Sequence, residues 1–454
     1  MSNPIEAIMK TAPKNMLYNL SATKSIDVRS DLRRYDATIT SGFTGAGQSE
    51  ARIPISSMDA FLDTNKSYLN FQVVGAAAAF TIDGTAGSFI DRLEIQSNGR
   101  SVWRCDRYSL HHNMRKFYNS DLAELNRLSV CEGSRGLITQ IEGTPADNDI
   151  NKVGLSTIGE EVGSGHSKNY CLALECGLLA NDLKKAIPMG ANLEIVIRFR
   201  ANNAAIIAHT GAPTWTINNV RFYTHAYQVM DAAAINFYQQ MRAEGLVAWS
   251  GSYIKTYINS VPSAAATHTL QINDRSLSVL SMTTALRKTA AESTLGTATN
   301  SAFLLDDGTG NVVSYEYMIA GQPVPTSGRI EVEPASDGEN LGRAYEEAIK
   351  SLGDDGKSVS NSCVDKEMFK SSVDTLASTK AGALKFGKGV LAIDLRKMDD
   401  LSLKMKGLNT AASAAPNNIR IEHKAFNTDV DATTFVKAEA TWVLQANGEV
   451  TVVV

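Results

Sequence analysis

The chain has 454 residues, 43% of them hydrophobic and 20% charged, and its formal net charge is -4 at pH 7. This composition excludes a predominantly disordered protein, and the length fits two large β domains of about 200–250 residues each. The near-neutral charge argues against a generally basic nucleic-acid coat, although a local basic patch is compatible with it.

The cysteines contain no CxxC pair, and an odd number of them cannot all pair, which argues against a zinc site or a disulfide scaffold. We expect reduced, mostly buried thiols in a protein made in a reducing compartment. No apolar run approaches the ~20 residues of a membrane-spanning helix, and the first ten residues lack the long apolar stretch of a signal peptide. The five cysteines are Cys105, Cys131, Cys171, Cys176 and Cys363.

In chain order, the first predicted element is an N-terminal arm over residues 1–20. Ile5, Ile8, Met9 and Met16 recur in it at roughly helical spacing. Two interpretations stay open: a short helix docked on its own domain, or an arm that reaches a neighbouring subunit or a membrane beneath the protein.

Alternation of apolar and polar residues then predicts half-buried strands with one wet face. The apolar positions recur every second residue, which is the side-chain repeat of a β-strand. They are Ile26 and Val28; Ile53 and Ile55; Leu69, Phe71 and Val73; Leu93 and Ile95; Leu193, Ile195, Ile197 and Phe199; Ile419 and Ile421; and Trp442 and Leu444.

Turn and capping signals predict the remaining elements. Asn98-Gly99 and Asn447-Gly448 each predict a hairpin with a type I′ turn, because Asn and Gly adopt the two positive φ angles that this turn needs. Capping residues predict a few short helices between the strands. These helices cover residues 232–243, 341–352 and 366–376, with a broken helical stretch over 108–118 and 121–128.

Alternation stops after Arg200, and a small, turn-prone stretch follows, which predicts a domain boundary. We predict a first domain over residues 21–205, a linker over 206–213 and a second domain over 214–454. Many strands with few helices favour an all-β fold built from two sandwiches.

The residues predict no catalytic, cofactor-binding or metal-binding site. His111 and His112 are adjacent, so on a helix they diverge and do not chelate one metal, and no nucleophile or phosphate-loop motif occurs. Residues 306–311 could bind an ion, but they lack the spaced carboxylates of a calcium loop, and we favour a tight turn. Asp429 and Asp431 are expected to be solvated in a loop.

Several basic and aromatic residues are candidates for interfaces. The four arginines lie on predicted wet strand faces, where solvent or an interface is favoured over phosphate. The three aromatics lie in or beside the helical segment that starts at residue 232, and each fits a subunit seam or the core equally well. The arginines are Arg33, Arg34, Arg198 and Arg200, and the aromatics are Phe237, Tyr238 and Trp249.

The order of segments is more informative than any one motif. Residues 61–71 read FLDTNKSYLNF, residues 87–99 read GSFIDRLEIQSNG, and residues 245–257 read GLVAWSGSYIKTY. Together with the closing hairpin, this succession resembles the double jelly-roll major capsid proteins of icosahedral viruses. It is most similar to those of polinton-like viruses and virophages, in the PRD1–adenovirus lineage, and covers about residues 26–454.

The resemblance implies two consecutive eight-stranded jelly-roll β-sandwiches with short inserted helices. It implies homotrimers with a pseudo-hexagonal outline that tile an icosahedral shell, so the protein would reside in the virion after assembly inside an infected cell. The implied partners are the chain itself, neighbouring capsomers, minor capsid or penton proteins, and a membrane or genome beneath the arm. No enzyme activity, cofactor or small-molecule substrate is implied.

Two other classes of function are compatible with the residues alone. A tandem β-sandwich could be a binding module, such as a viral spike or lectin-like protein that recognises carbohydrate or protein. A β-sandwich hydrolase would need converging carboxylates or a nucleophile–His pair, and spacing alone identifies neither. A fold does not choose between such functions by itself.

Overall fold

The computed structural model of the chain describes residues 28–45, 50–57, 59–120, 122–134, 137–138, 154–155, 159–179, 186–201, 205–208, 212–289, 303–332, 341–353, 362, 364, 369–370, 387–396, 407–411 and 415–454. The predicted arm over residues 1–20 and Ile26 lie outside these residues. Most of the predicted helix over 366–376 and Cys363 also lie outside them.

The first half of the described chain contains fourteen strands. They are β1 (Val28–Asp36), β2 (Ser41–Thr44), β3 (Glu50–Ser56), β4 (Phe61–Ala76), β5 (Phe80–Ile82), β6 (Ile90–Ser97), β7 (Arg100–Asp106), β8 (Leu137–Ile138), β9 (Gly154–Leu155), β10 (Glu161–Val162), β11 (Ser167–Leu172), β12 (Asn192–Phe199), β13 (Ile206–Ala208) and β14 (Thr214–Val229).

The second half contains ten strands among its described residues, and the described part of the whole chain contains four α-helices. The strands are β15 (Ala248–Val261), β16 (Ala266–Ile272), β17 (Val279–Lys288), β18 (Val312–Ile319), β19 (Gln322–Val324), β20 (Ile330–Glu331), β21 (Leu391–Asp394), β22 (Asn417–His423), β23 (Val430–Leu444) and β24 (Val450–Val453). The helices are α1 (Tyr108–Tyr118), α2 (Leu122–Glu132), α3 (Ala232–Ala243) and α4 (Leu341–Leu352), and Ala86–Phe89 form a 3₁₀ turn.

The same strand order occurs in both halves. In the first half one sheet has the order β1-β14-β4-β11 and the other β3-β12-β6-β7; in the second half the orders are β15-β23-β17-β21 and β16-β22-β18-β19. When the eight strands of each pair of sheets are numbered in chain order, the strand orders are the same in both halves. One sheet has the order first–eighth–third–sixth, and the other has the order second–seventh–fourth–fifth. Two antiparallel sheets wound in this way form a jelly roll, so the prediction of two consecutive eight-stranded jelly rolls is confirmed.

Strand β14 closes the first jelly roll, although it follows the predicted linker. It pairs antiparallel with β1 and with β4, for example through Arg221 opposite Asp36 and opposite Asn70. Within the predicted linker itself, Ile206–Ala208 form β13 and pair with β5. The eighth strand of a jelly roll lies between the first and the third strands, and spacing along the sequence does not reveal this return.

Alternation predicted the core positions of the sheets. All the predicted apolar positions from Ile53 to Leu444 are buried, as expected for the inward side of strands in a sandwich. Val28 is the exception: it is exposed at the start of β1, which lies at the edge of its sheet. An edge strand has one neighbour instead of two, so an alternating pattern does not ensure burial there.

The two Asn-Gly sequences form different turns. At the first, Asn98 and Gly99 have φ of 49° and 79°, as a two-residue type I′ turn requires, which confirms the prediction. At the second, of the two residues only Gly448 has a positive φ. The N–H of Gln445 donates to the carbonyl of Glu449 over 2.8 Å. The hairpin there is confirmed, but its loop has three residues, so the predicted type I′ turn is wrong.

The predicted helices within the described residues are confirmed. Helices α3 and α4 have the predicted bounds, and Gly245, with φ of 68°, follows the end of α3. The broken helical stretch is α1 followed by α2, which continues to Glu132 instead of residue 128. Among the described residues, no helix is long and apolar enough to cross a membrane.

Two glycines test the turn geometry. A Cβ added at Gly99 or at Gly342 would meet nothing within 4 Å, so only the backbone conformation distinguishes the two sites. We expect Gly99→Ala to destabilise the protein by about 1–2 kcal/mol, because its φ is positive. Gly342→Ala in α4 should instead stabilise it by about 0.4–1 kcal/mol. Scanning calorimetry of both variants checks the signs; midpoint shifts in the same direction would contradict this account.

Candidate functional site at the contact between the jelly rolls

Two buried tryptophans join the jelly rolls. The indole N–H of Trp103, on β7, donates to the carbonyl of Ser252 on β15 over 3.2 Å. The indole N–H of Trp442, on β23, donates in return to the carbonyl of Val102 over 3.0 Å. Each indole is buried and has its N–H satisfied by the other jelly roll. The two rolls are therefore in reciprocal hydrogen-bonded contact.

Helix α1 of the first roll lies on the outer face of the second. Arg107, which precedes the helix with a left-handed φ of 52°, donates to Thr433 Oγ1 over 2.7 Å and lies 3.3 Å from Asp431. One turn further, the ring of His111 lies 5.3 Å from that of Phe435. The left-handed conformation is rare for arginine, and here it accompanies two contacts with β23.

A buried cluster of charges holds α1 to its own jelly roll. His112 Nε2 lies 3.0 Å from Glu132, and Glu175 lies 3.1 Å from Lys116 and 3.3 Å from Arg115. Burial by itself raises the pKa of both carboxyl groups, but the neighbouring cations outweigh it, so each pKa lies below its usual range. Burial lowers the pKa of Lys116, and Glu175 and Glu132 more than restore it.

The space between α1 and the second roll is small. A cavity of about 20 Å³ is lined by His111, Met114, Ile254 and Phe435, among others. This is room for about one water molecule, whereas ligand sites measure several hundred Å³. The contact can therefore hold the two rolls together but cannot accommodate an organic substrate.

Two polar residues that were expected in solvent lie in this contact. Asp431 was placed in a solvated loop, but it belongs to β23, where its carboxylate faces Arg107. Arg200 was placed on a wet strand face, but it is buried and donates to Ser109 Oγ over 2.8 Å. Both expectations are wrong because α1 covers these positions, and no local pattern marks which strand face a distant helix covers.

The other candidate arginines form pairs at the surface. Arg33 pairs with Asp59 over 2.6 Å, and Arg34 pairs with Asp36 over 3.1 Å. Arg198 lies 3.8 Å from Asp91 and is partly exposed, as predicted for a wet strand face. These exposed pairs contribute little to stability.

The aromatic candidates divide between core and surface. Trp249 is buried and its ring lies 6.4 Å from that of Trp442. Tyr238 is half-buried and donates to the carbonyl of Met189 over 2.6 Å, whereas Phe237 is exposed. Of the three, only Phe237 presents its ring mainly to solvent.

Residues 306–311 form a tight turn whose carboxylates bind its own backbone. Asp306 Oδ1 accepts from the N–H of Gly308 over 2.6 Å, and Asp307 Oδ1 accepts from that of Gly310 over 2.8 Å. Among the described residues, no three metal-ligating side chains converge. Four of the five cysteines are described, and all four are free thiols.

Comparison of the sequence with protein-family models and with curated proteins finds no match. The fold, in contrast, is similar to that of solved viral capsid proteins. The Faustovirus major capsid protein matches with a TM-score of 0.59 and 10% identity, over 97% of this chain and 95% of that chain. The PBCV-1 virus capsid matches with a TM-score of 0.56 and 9% identity, over 94% of this chain and 97% of that chain. At these identities the similarity establishes the fold.

The contact of Arg107 can be tested by substitution. Arg107→Met leaves the half-buried Asp431 without its cationic partner, so we expect a loss of about 1–3 kcal/mol in unfolding free energy. Arg100→Met is the matched control: its pair with Glu449 has an arginine side chain that is 78% exposed, and its loss should cost less than about 1 kcal/mol. Calorimetric midpoints that fall equally in the two variants would contradict this account.

The stability of the contact should depend on His111. Burial, reinforced by Arg115, lowers the pKa of this imidazole to about 3 in the folded chain. In the unfolded chain the pKa of this histidine is about 6.5, so the unfolded state binds the proton more tightly than the folded state. The unfolding free energy is therefore highest above pH 6.5 and falls as the pH decreases towards 3. From pH 7 to pH 5 the loss should be about 2 kcal/mol.

His111→Phe should remove the part of the pH dependence of the unfolding free energy that His111 causes, because a phenyl ring does not titrate. Unfolding free energies from pH 5 to pH 7 give the slopes to compare. Phe237→Leu, which changes an exposed side chain that does not titrate, should leave the slope as it is in the unmodified chain. An unchanged slope in His111→Phe would show that this histidine does not stay neutral in the folded protein.

Proposed function

We propose that this chain is the major capsid protein of an icosahedral virus, located in the virion. One observation supports the proposal most: the jelly-roll strand order occurs twice in one chain, and capsid proteins match this architecture along nearly the full length of both chains. In this role the protein acts through its shape, as a structural subunit without catalytic turnover, cofactor or small-molecule substrate.

We also propose where the two rolls divide. The strand order supports a division between Val229 and Ala248, with β1 to β14 in the first roll and β15 to β24 in the second. Helix α3 occupies this interval and touches both rolls. Tyr238 donates to Met189 of the first roll, and Arg242 donates to Ala446 of the second over 3.1 Å.

Homotrimers are part of this proposal, because the resemblance to double jelly-roll capsid proteins implies them. Three chains contribute six similarly folded rolls, which can surround a common axis and give a capsomer a pseudo-hexagonal outline. The outer faces of the sheets support polar contacts between capsomers: on the first roll Arg52 pairs with Glu50 over 2.7 Å and with Glu194 over 3.2 Å. Such faces suit smaller, reversible contacts.

The remaining partners are proposals that follow from the resemblance. Neighbouring capsomers and minor capsid or penton proteins would bind at the rim of the trimer. The N-terminal arm over residues 1–20 would lie at the inner base, towards a membrane or the genome. The near-neutral charge of the chain suits this arrangement, since only a local patch would contact nucleic acid.

The oligomeric state tests this function. Light scattering of the purified full chain should give about 147 kDa, three times the 48.9 kDa of one chain, because the outline requires six rolls. Negative-stain electron microscopy of the same sample should show hexagonal particles or shells. A sample that stays monomeric at high concentration and binds glycans would contradict the capsid function and favour a binding module.

A further inference from the structure

Both rolls contribute residues to the small cavity under α1. The helix itself contributes His111, Met114 and Arg115, and the last turn of α4 contributes Ser351 and Leu352. The rest of the lining lies on the outer face of the second roll, on β15, β17 and β23: Ile254, Ser281, Thr283, Phe435 and Lys437. The cavity therefore exists only when the two rolls are in contact.

Two polar atoms of residues in this lining have no hydrogen-bond partner among the described residues. They are Nδ1 of His111 and Oγ of Ser351, and both atoms are buried. Each of the two residues is only 3% exposed. Because buried polar atoms in folded proteins are generally satisfied, if necessary by a bound water or ion, these two atoms indicate that the cavity has an occupant.

The volume of the cavity restricts this occupant to one small particle. A volume of about 20 Å³ is more than the about 10–15 Å³ that a single water molecule needs. It is far less than the several hundred Å³ of a site for an organic ligand. A water molecule or a halide ion fits this space, whereas a larger organic anion such as gluconate does not.

The charges around the cavity favour an anion over water. Arg115 and Lys437 line it, and none of the described lining residues is acidic. The nearby carboxylate of Glu175 lies 3.3 Å from Arg115. Burial lowers the pKa of the His111 imidazole most, and Arg115 lowers it by more than Glu175 raises it. Lys437 lowers this pKa further. The same basic side chains that disfavour a proton on His111 create a positive potential in the cavity, which attracts an anion.

We propose that a halide ion, chloride in ordinary buffers, binds in the cavity between the two rolls. The Nδ1–H tautomer of neutral His111 and the hydroxyl of Ser351 donate hydrogen bonds to the ion, since an imidazole can change its tautomer and a hydroxyl can rotate. Arg115 and Lys437 compensate its charge, as a buried ion requires.

The bound ion stabilises the contact between the rolls, because it binds only to the folded chain in which α1, α4 and the outer face of the second roll lie together. This inference goes beyond the proposed function, since the site lies inside one chain and does not depend on assembly into a shell.

Unfolding midpoints in different sodium salts test the proposal. The full chain is first dialysed free of halide at pH 8, where His111 is neutral in the folded and the unfolded states. Sodium chloride then replaces sodium gluconate at constant ionic strength. The midpoint measured by scanning calorimetry should rise with chloride concentration, as binding to the folded state requires. Bromide should have the same effect as chloride.

Two substitutions separate binding in the cavity from general effects of salt. Ser351→Ala removes a hydrogen-bond donor, and Lys437→Met removes a positive charge. Each should raise the apparent dissociation constant of chloride at least about tenfold, since hydrogen bonds and charges next to a buried ion contribute strongly to its binding. Ser260→Ala and Lys424→Met are the matched controls, because both residues are exposed. The controls should keep the chloride dependence of the unmodified chain.

The outcomes decide which particle occupies the cavity. Stabilisation by chloride that is lost in both cavity variants and kept in both controls supports the proposal. If chloride does not stabilise the unmodified chain more than gluconate does, water fills the cavity and the proposal is wrong. If the unmodified chain and the cavity variants are stabilised equally, chloride is an adventitious ion only, bound elsewhere, and the proposal is also wrong.

A measurement on the unmodified chain avoids substitutions altogether. In crystals grown in sodium bromide, the anomalous diffraction of bromine should give a peak in the cavity, between His111 and Ser351. Bromide peaks confined to the outer surface of the protein would contradict the proposal. Neither this result nor the calorimetric one depends on the oligomeric state, so the capsid function is tested separately.

Discussion

Helix α1 is buried on two sides, against its own jelly roll and against the outer face of the second, and the arrangement of the two rolls depends on this double burial. On one side, Glu175 pairs with Arg115 and Lys116, and Glu132 lies 3.8 Å from Lys116, with all four side chains largely buried. Buried charges are tolerated only when paired in this way. On the other side, Arg107 and His111 contact β23. The helix therefore fixes one roll against the next.

The contact between the two rolls is asymmetric, because the first roll contributes helix α1 and the second roll contributes the outer face of β23. Thr283 and Phe435 on the outer face of the second roll are buried, whereas Tyr68 and Tyr223 on the outer face of the first roll are partly exposed. The reciprocal tryptophan hydrogen bonds of Trp103 and Trp442 reinforce this contact between the rolls.

Much of the fold could be predicted from local pattern. Ile53, Leu69 and Ile195 are buried as alternation predicts, because their strands face a second sheet. Helix α3 has its predicted ends because helix termini are determined by local backbone geometry and capping. The local sequence pattern was less informative where a residue contacts residues far away in the chain. Nothing near Arg200 indicates that a helix covers it, and the hydrogen bonds of β14 with β1 join residues almost two hundred positions apart.

The sequence by itself determined the elements, their order and the class of fold, since side-chain periodicity and turn chemistry act over a few residues. It also determined, through the succession of segments, the resemblance to double jelly-roll capsid proteins. Only the tertiary structure decided that β14 pairs with β1 and β4, that α1 contacts both rolls, and that Tyr68 and Tyr223 stack on the partly exposed side of their sheet. These features are contacts between segments that are far apart in the chain. Packing and charge pairing determine such contacts, and the local sequence pattern does not.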